Sequence, residues 1–385
     1  MDDTGQKGPT SARLMPDLFR FAIPLLSELE AMKRHTFSAV GSDSATSVVP
    51  RLGRVLLATL SAFGFVHSAA AASLQPIEFS EAVHNLGYID LYVAQHAKLF
   101  EKHGLTIHLT AAGGDTQAFA AVLGKTAQFA VGDPTMVEMS RERGGPGMVV
   151  GTLVQRAHYF GVSKTVARIT DPKAFKGLTL VTSPDPNTEY SVTKKLLQDN
   201  GLKVGTDAKI VEVTPGTEIG AMLAGRADIA FAQQPMVAAA MAQGAKVVFD
   251  FSSYMGPFCN TGIMVLPEYA MAHPEVVQSL VDALEEAARL TYAKPDYAKE
   301  VARAEFPDLP PDVVNKAIDM ELQYKIPAQT LPVDRQQWDK LISMQKYLGN
   351  VQGTLAYSDV IDNTFSNKAA KTAAAGAGVT VAVSK

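Results

Sequence analysis

The 385 residues suffice for two or three ordinary domains, and with 47% hydrophobic and 19% charged residues the chain can bury a sizeable core. A formal net charge of −4 gives no overall attraction for nucleic acid or an anionic membrane, so no nucleic-acid partner is expected. A single cysteine, Cys259, excludes an internal disulfide framework and any multi-cysteine zinc site.

In chain order, the first organised feature is RLGRVLLATLSAFGFVHSAAAASLQ, which begins at Arg51. Two arginines precede an apolar run over 55–66, and small residues follow at 68–72. That is the three-part pattern of a secretory signal, with cleavage expected near Ala71 or Ala72. The run is too short for an ordinary membrane span, and no cysteine stands there for a lipid anchor. Met32, followed by Lys33 and Arg34, is an alternative start to Met1. Residues 1–72 are therefore read as an N-terminal extension plus signal peptide.

The mature chain opens on a polar turn, His84-Asn85-Leu86-Gly87, followed by a helix. Ile89, Val93, Ala97 and Phe100 share one helical face; Gln95, Lys98, Glu101 and Lys102 share the other; Gly104 is the stop. Leu105, Ile107 and Leu109 alternate with polar residues as a half-buried strand does. Gly113-Gly114-Asp115-Thr116 opens a helix with Phe119, Val122 and Leu123 on its apolar side. A strand over 128–131, the turn Gly132-Asp133-Pro134, another helix and a strand over 148–154 follow. The same syntax resumes with strands at 178–182, 210–213, 229–232 and 247–251, and helices at 192–197, 217–224 and beyond Pro235. This alternation implies a mainly parallel sheet covered by helices. LGKTAQFAVGDPTM and MLAGRADIAFAQQPM overlay, with Gly124 and Pro134 matching Gly225 and Pro235, which reads as two lobes of similar architecture. Helices at 275–290, 297–304, 311–324 and 335–348 supply no strand, so they are expected to pack back on the first lobe. The chain then crosses between lobes near 155–158 and near 258–261. KAAKTAAAGAGVTVAVSK at the end reads as a flexible tail.

In an open α/β sheet, ligands bind beyond the carboxyl ends of strands, where helix N-termini offer unpaired N–H groups. The loops 84–90, 113–116, 132–135, 183–188 and 233–235 fit that place. Each also has a plainer reading: Gly113-Gly114 as a turn, Asp115 and Thr188 as helix caps, Gln233-Gln234 as a solvated loop. Catalytic patterns are poor. There is no G-x-S-x-G, no phosphate-binding loop and no H-E-x-x-H. His96 and His103 stand seven apart, too far to chelate one ion unaided. Cys259 reads as a small core residue, Asp308 and Asp312 as caps, and Trp338 as packing. No catalytic residue, metal or cofactor is expected.

The signal region, GYIDLYVAQHAKLFEKHGLTIHL, AGGDTQAFAAVLGKTAQFAVGDP, KAFKGLTLVTSPDPNTEYSVTKKLLQDNGL and MLAGRADIAFAQQP together resemble one family. It is the nitrate/sulfonate/taurine and thiamine-pyrimidine-precursor branch of the periplasmic solute-binding proteins that feed ABC importers. The resemblance implies a type II, two-lobed α/β periplasmic binding protein fold with two chain crossovers and a helical C-terminal segment on lobe 1. It divides the chain into 73–157 (lobe 1), 158–257 (lobe 2), 258–348 (lobe 1 again) and 349–385 (extension and tail). It implies a monomeric receptor in the periplasm that hands a small polar organic solute to a membrane permease, with no cofactor and no reaction. The ligand would touch Asn85, Gly87, Tyr88 and Asp90 in the first loop and Gly113, Gly114, Asp115 and Thr116 in the second. In the third and fourth it would meet Asp133, Pro134, Ser183, Asn187 and Thr188, and in the last Gln233 and Gln234, with Arg156 and Asn260 near the crossings. Two departures matter. Gln234 stands where an acidic or aromatic residue commonly precedes the proline. The cysteine cluster of the branch's eukaryotic pyrimidine synthases is missing, which weighs against an enzyme. A synthase-like enzyme and a ligand-sensing subunit remain the alternatives. Cleft-loop carboxylates at Asp90, Asp115, Asp133 and Asp185, with few basic residues nearby beyond Arg156 and Lys164, favour a neutral or cationic guest if they face inward. If they are outward-facing caps, an anion remains possible.

Overall fold

Residues 73–376 are described by a computed structural model. The expected signal region and the last residues of the alanine-rich tail, 377–385, lie outside the described residues. The chain runs through β1 (Gln75–Glu81), α1 (Ile89–His96), α2 (Leu99–Lys102), β2 (Leu105–Ala111), α3 (Asp115–Leu123), β3 (Phe129–Gly132), α4 (Thr135–Glu142) and β4 (Met148–Arg156). It continues through β5 (Phe160–Ser163), β6 (Thr179–Thr182), α5 (Thr188–Asp199), β7 (Lys209–Glu212), α6 (Glu218–Leu223), β8 (Ile229–Ala232), α7 (Met236–Ala242), β9 (Lys246–Asp250) and α8 (Phe251–Met255). It then returns through β10 (Pro257–Val265).

These strands form two five-stranded sheets, ordered β2-β1-β3-β10-β4 and β7-β6-β8-β5-β9, one in each lobe. The two orders are equivalent position by position. β1 pairs in parallel with β2 and β3, as β6 does with β7 and β8. The sheets are mixed, however, not mainly parallel: β10 is antiparallel to β3 and β4, and β5 to β8 and β9. The cause is topological. β5 and β10 are each the first strand after the chain changes lobe. The chain enters at the edge where the other strands finish, so Phe160 pairs with Ala232 at the end of β8, and Pro257 with Arg156 at the end of β4. A strand that begins there must run the opposite way.

Several details depart from the sequence reading. The helix expected over 89–103 is broken at Lys98, which takes a left-handed conformation (φ 54°), though Ile89, Val93 and Phe100 all stay buried. The return crossing lies ahead of β10, at α8, because 258–261 is itself strand and Thr261 pairs with Val154.

Beyond β10 come α9 (Pro267–Ala272), α10 (Pro274–Ala293), α11 (Pro295–Glu305), α12 (Pro311–Gln323), α13 (Arg335–Leu348), α14 (Tyr357–Val360) and α15 (Thr364–Gly376). The first four begin on proline, whose missing N–H costs nothing in a first turn. α10 and α11 cover α1, while α12 touches α7 and α13 touches α5 in the other lobe. α15 overturns part of the flexible-tail expectation. It lies along α10, with Ala369 buried and the Arg289 guanidinium donating to the Ala370 carbonyl at 3.2 Å. Alanines supply both helix propensity and a flat face for close packing. In lobe 2 the core is an aromatic knot: Phe231 and Phe251 stand 5.0 Å apart between ring centres, and Phe175 and Phe249 5.2 Å.

Candidate functional site

Between the lobes lies a cavity with about 70 Å³ of free space, walled from lobe 1 by the β1–α1 turn and the start of α3, and from lobe 2 by the starts of α5, α6 and α7. At about 10–15 Å³ of such space per water, it has room for several waters or one compact solute. The lobes also touch directly around it. Leu86 donates its N–H to the Gln234 carbonyl at 2.9 Å, and the Thr188 hydroxyl donates to Asp133 Oδ2.

The β1–α1 turn is held by Asn85, whose Oδ1 accepts the Gly87 N–H at 2.8 Å while its amide donates to the Val83 carbonyl at 3.0 Å. Asn85 and Tyr88 face the cavity. Gly87 lies behind them on the His158 ring. A Cβ there would stand 2.2 Å from His158 Nδ1, so only glycine fits that approach. Gly114 and Asp115 also line the cavity, and Asp115 Oδ1 accepts the Asp133 N–H at 2.8 Å. Gly113 and Thr116 instead border an outer hollow of about 660 Å³, opposite Asp185 and Arg226 of lobe 2. Asp133 is buried behind the wall, accepting from the Thr135 N–H as well as from Thr188; Pro134 packs against Gly262. From lobe 2, Ser183, Asn187, Thr188, Gln233 and Gln234 reach the cavity, and Asn260 joins them from the start of β10.

Three further residues singled out in the sequence lie away from both hollows. Asp90 is fully buried on α1 beside Thr291 and Glu285 of α10, because α1 turns that side into the lobe 1 core; burial pushes its carboxyl up to about 8. Arg156 is half-buried with its guanidinium near the Ser252 carbonyl at 3.4 Å, outside the cavity wall. Lys164 is exposed, directly after β5.

Sequence reasoning passed over four wall residues of consequence. His158 and Tyr159 sit on the first crossing, between β4 and β5, a stretch read only as a connection between lobes. Glu189 and Glu218 sit in the first turns of α5 and α6. Their signal was available: an acid in the opening turn of a helix that follows a strand end. Glu189 accepts the Ser183 N–H at 3.3 Å and Glu218 the Gly216 N–H at 3.0 Å.

The wall is electrostatically one-sided. Among the described residues that line it there is no lysine or arginine. Burial pushes the Asp115 and Glu218 carboxyls up to about 7, and that of Glu189 well above the glutamate range; Asp133 adds to the rise at Asp115, and Glu218 and Asp115 add to that at Glu189. Burial drives His158 the other way, to about 3, so its ring is neutral. His84, at the rim, is raised against its burial by Glu81 at 2.8 Å and Glu305 at 3.7 Å, which answer its charge. Burial pushes the Cys259 thiol up to about 12, which leaves it a poor nucleophile. Among the described residues no group of three histidine, cysteine, aspartate or glutamate side chains is placed to hold a metal ion. What the arrangement can do is accept hydrogen bonds and enclose a guest.

A family model described as NMT1/THI5 like matches residues 85–298. No curated protein matches the chain. Among solved structures, the alkanesulfonate-binding protein SsuA from Xanthomonas axonopodis pv. citri, bound to MOPS, is 15% identical, over 77% of this chain and 98% of that one, with a TM-score of 0.61. The periplasmic nitrate-binding protein NrtA from Synechocystis PCC 6803 is 12% identical over 78% and 89%, with a TM-score of 0.64. The desulfurization enzyme DSZB is 14% identical over 78% and 99%, with a TM-score of 0.58.

Proposed function

The chain belongs to the NMT1/THI5-like family and has the type II periplasmic binding protein fold, and from that premise we propose that it is an extracytoplasmic receptor that captures a small polar solute for an ABC importer. The observation that carries this reading is the enclosed cavity between lobes, walled by both and bridged by the Thr188–Asp133 and Leu86–Gln234 hydrogen bonds. A solute that touches both walls stabilises the closed arrangement, and closure presents a composite surface of both lobes to a permease. Export through the sequence at 51–72 would place the receptor outside the cytoplasmic membrane.

The test is binding stoichiometry and fate. The purified mature chain is incubated with candidate solutes, and bound and free material are identified by mass spectrometry over hours. One solute per chain, recovered unchanged, is the expected result. A product that accumulates with time would replace the receptor with an enzyme of the same fold.

A further inference from the structure

The cavity wall gathers more acidic side chains than its helices need. Acids in the first turn of a helix are ordinary when water screens them. Here Glu189 and Glu218 are 4% and 3% exposed, and Asp115 shares the wall with them. Asp133 stands directly behind, 1% exposed. Single backbone N–H groups orient these carboxylates but do not neutralise them. A second observation points the same way. Asn260, 2% exposed in the same wall, has an amide oxygen with no hydrogen-bond partner. A buried acceptor left unpaired is costly, and a guest that donates to it removes that cost. At α3, α5 and α6 the opening turn that would greet an oxyanion carries an acid of its own, Asp115, Glu189 or Glu218.

We propose that the guest is a small organic cation, of the ammonium or amidinium kind, whose N–H groups donate to Asp115, Glu189, Glu218 and the Asn260 amide oxygen, with Tyr88 and Tyr159 as its aromatic walls. This rests on the receptor reading and names the solute class for that site. Charge-assisted hydrogen bonds of this sort are the strong ones, and the tyrosine faces add cation–π attraction. The cation also supplies what closure lacks. Asp115 and Asp133 come from one lobe, Glu189 and Glu218 from the other, so bringing the lobes together brings like charges together. Protons do this work when no guest is present: burial pushes the Asp115 and Glu218 carboxyls up to about 7. The guest displaces them. The other titratable groups facing these acids do not compete, since His158 is neutral and His84 is paired with Glu81 and Glu305.

The experiment is titration calorimetry on the mature chain at pH 7, in two buffers of different ionisation enthalpy. One arm uses methylammonium, guanidinium and acetamidinium; the other uses nitrate and methanesulfonate. The expected result is saturable one-to-one binding of at least one cation, with proton release, weakened at least tenfold by Glu189→Gln. Glu218→Gln serves as the second variant if the first does not fold by circular dichroism. Saturable binding in the anion arm alone overturns the proposal while the receptor reading stands. Silence in both arms, with no shift in melting temperature, overturns both.

Discussion

Glu218→Gln is the substitution whose effect the structure quantifies best. Burial raises this carboxyl from an ordinary 4.5 to about 7. The folded chain therefore holds a proton there between those two values while the unfolded chain has lost it. Stability from this group is complete below about pH 4.5 and drains away as pH rises through about 7. At about 1.4 kcal/mol for each tenfold change in proton affinity, the whole loss is about 3 kcal/mol. Glutamine keeps the shape and the acceptor for the Gly216 N–H but cannot ionise. The variant should equal the parent at pH 4.5 and exceed it by up to about 3 kcal/mol at pH 8, where the loss is complete. At about 2–4 °C per kcal/mol, that is a rise in Tm of several degrees. Urea unfolding of both chains at several values between pH 4.5 and 8 measures it. A stability difference that stays flat across this range would refute the reasoning, because it would mean the carboxylate is already solvated or paired in the folded chain.

Other consequences are checked more simply. Thr188→Val removes the donor to buried Asp133 and should cost about 1–3 kcal/mol in the same urea assay. Gly87→Ala pushes a methyl group into His158 and Asn85, and should weaken solute binding at least tenfold by displacing the turn that carries Tyr88. Cys259, 1% exposed and with its thiol raised to about 12, should react with a disulfide reagent at pH 8 at least about a hundredfold more slowly in the native chain than in denaturant.

What the sequence disclosed follows from which signals are local. The β3–α4 and β8–α7 units were legible because Gly124, Pro134, Gly225 and Pro235 punctuate short apolar runs at equal spacing. The loops at their ends were legible for the same reason, and Gly114, Asp115, Ser183, Thr188 and Gln234 do meet around one cavity. β5 and β10 were not legible. One follows β4 with no helix between them, which breaks the strand–helix alternation, and the other contains Asn260, Thr261 and Gly262 within a buried strand interior, where close approach of Pro134 and Val149 requires glycine at 262. Their reversed direction is a property of the lobe crossing, which no short window contains. His158 and Tyr159 escaped notice because they lie on that crossing, between β4 and β5, and not in a strand-to-helix loop. Asp90 failed in the opposite sense: adjacency to Gly87 and Tyr88 suggested a ligand contact, but helix geometry turns it into the core. Whether an acid faces the cavity or the core depends on which residue of a helical turn it occupies and what the helix packs against. Asp115 and Asp90 share the same local chemistry and differ only in that.

Hinged capture of a solute is tested most directly by measuring the distance between lobes. Spin labels on Leu123→Cys and Leu223→Cys, at exposed and equivalent ends of α3 and α6, report that distance by pulsed electron resonance, since native Cys259 is too buried to label. Without solute, a broad distribution extending to longer distances is expected; with the tightest-binding solute at saturation, it should collapse to one shorter distance. An identical distribution in both samples, with binding confirmed in the same tube, would contradict the account.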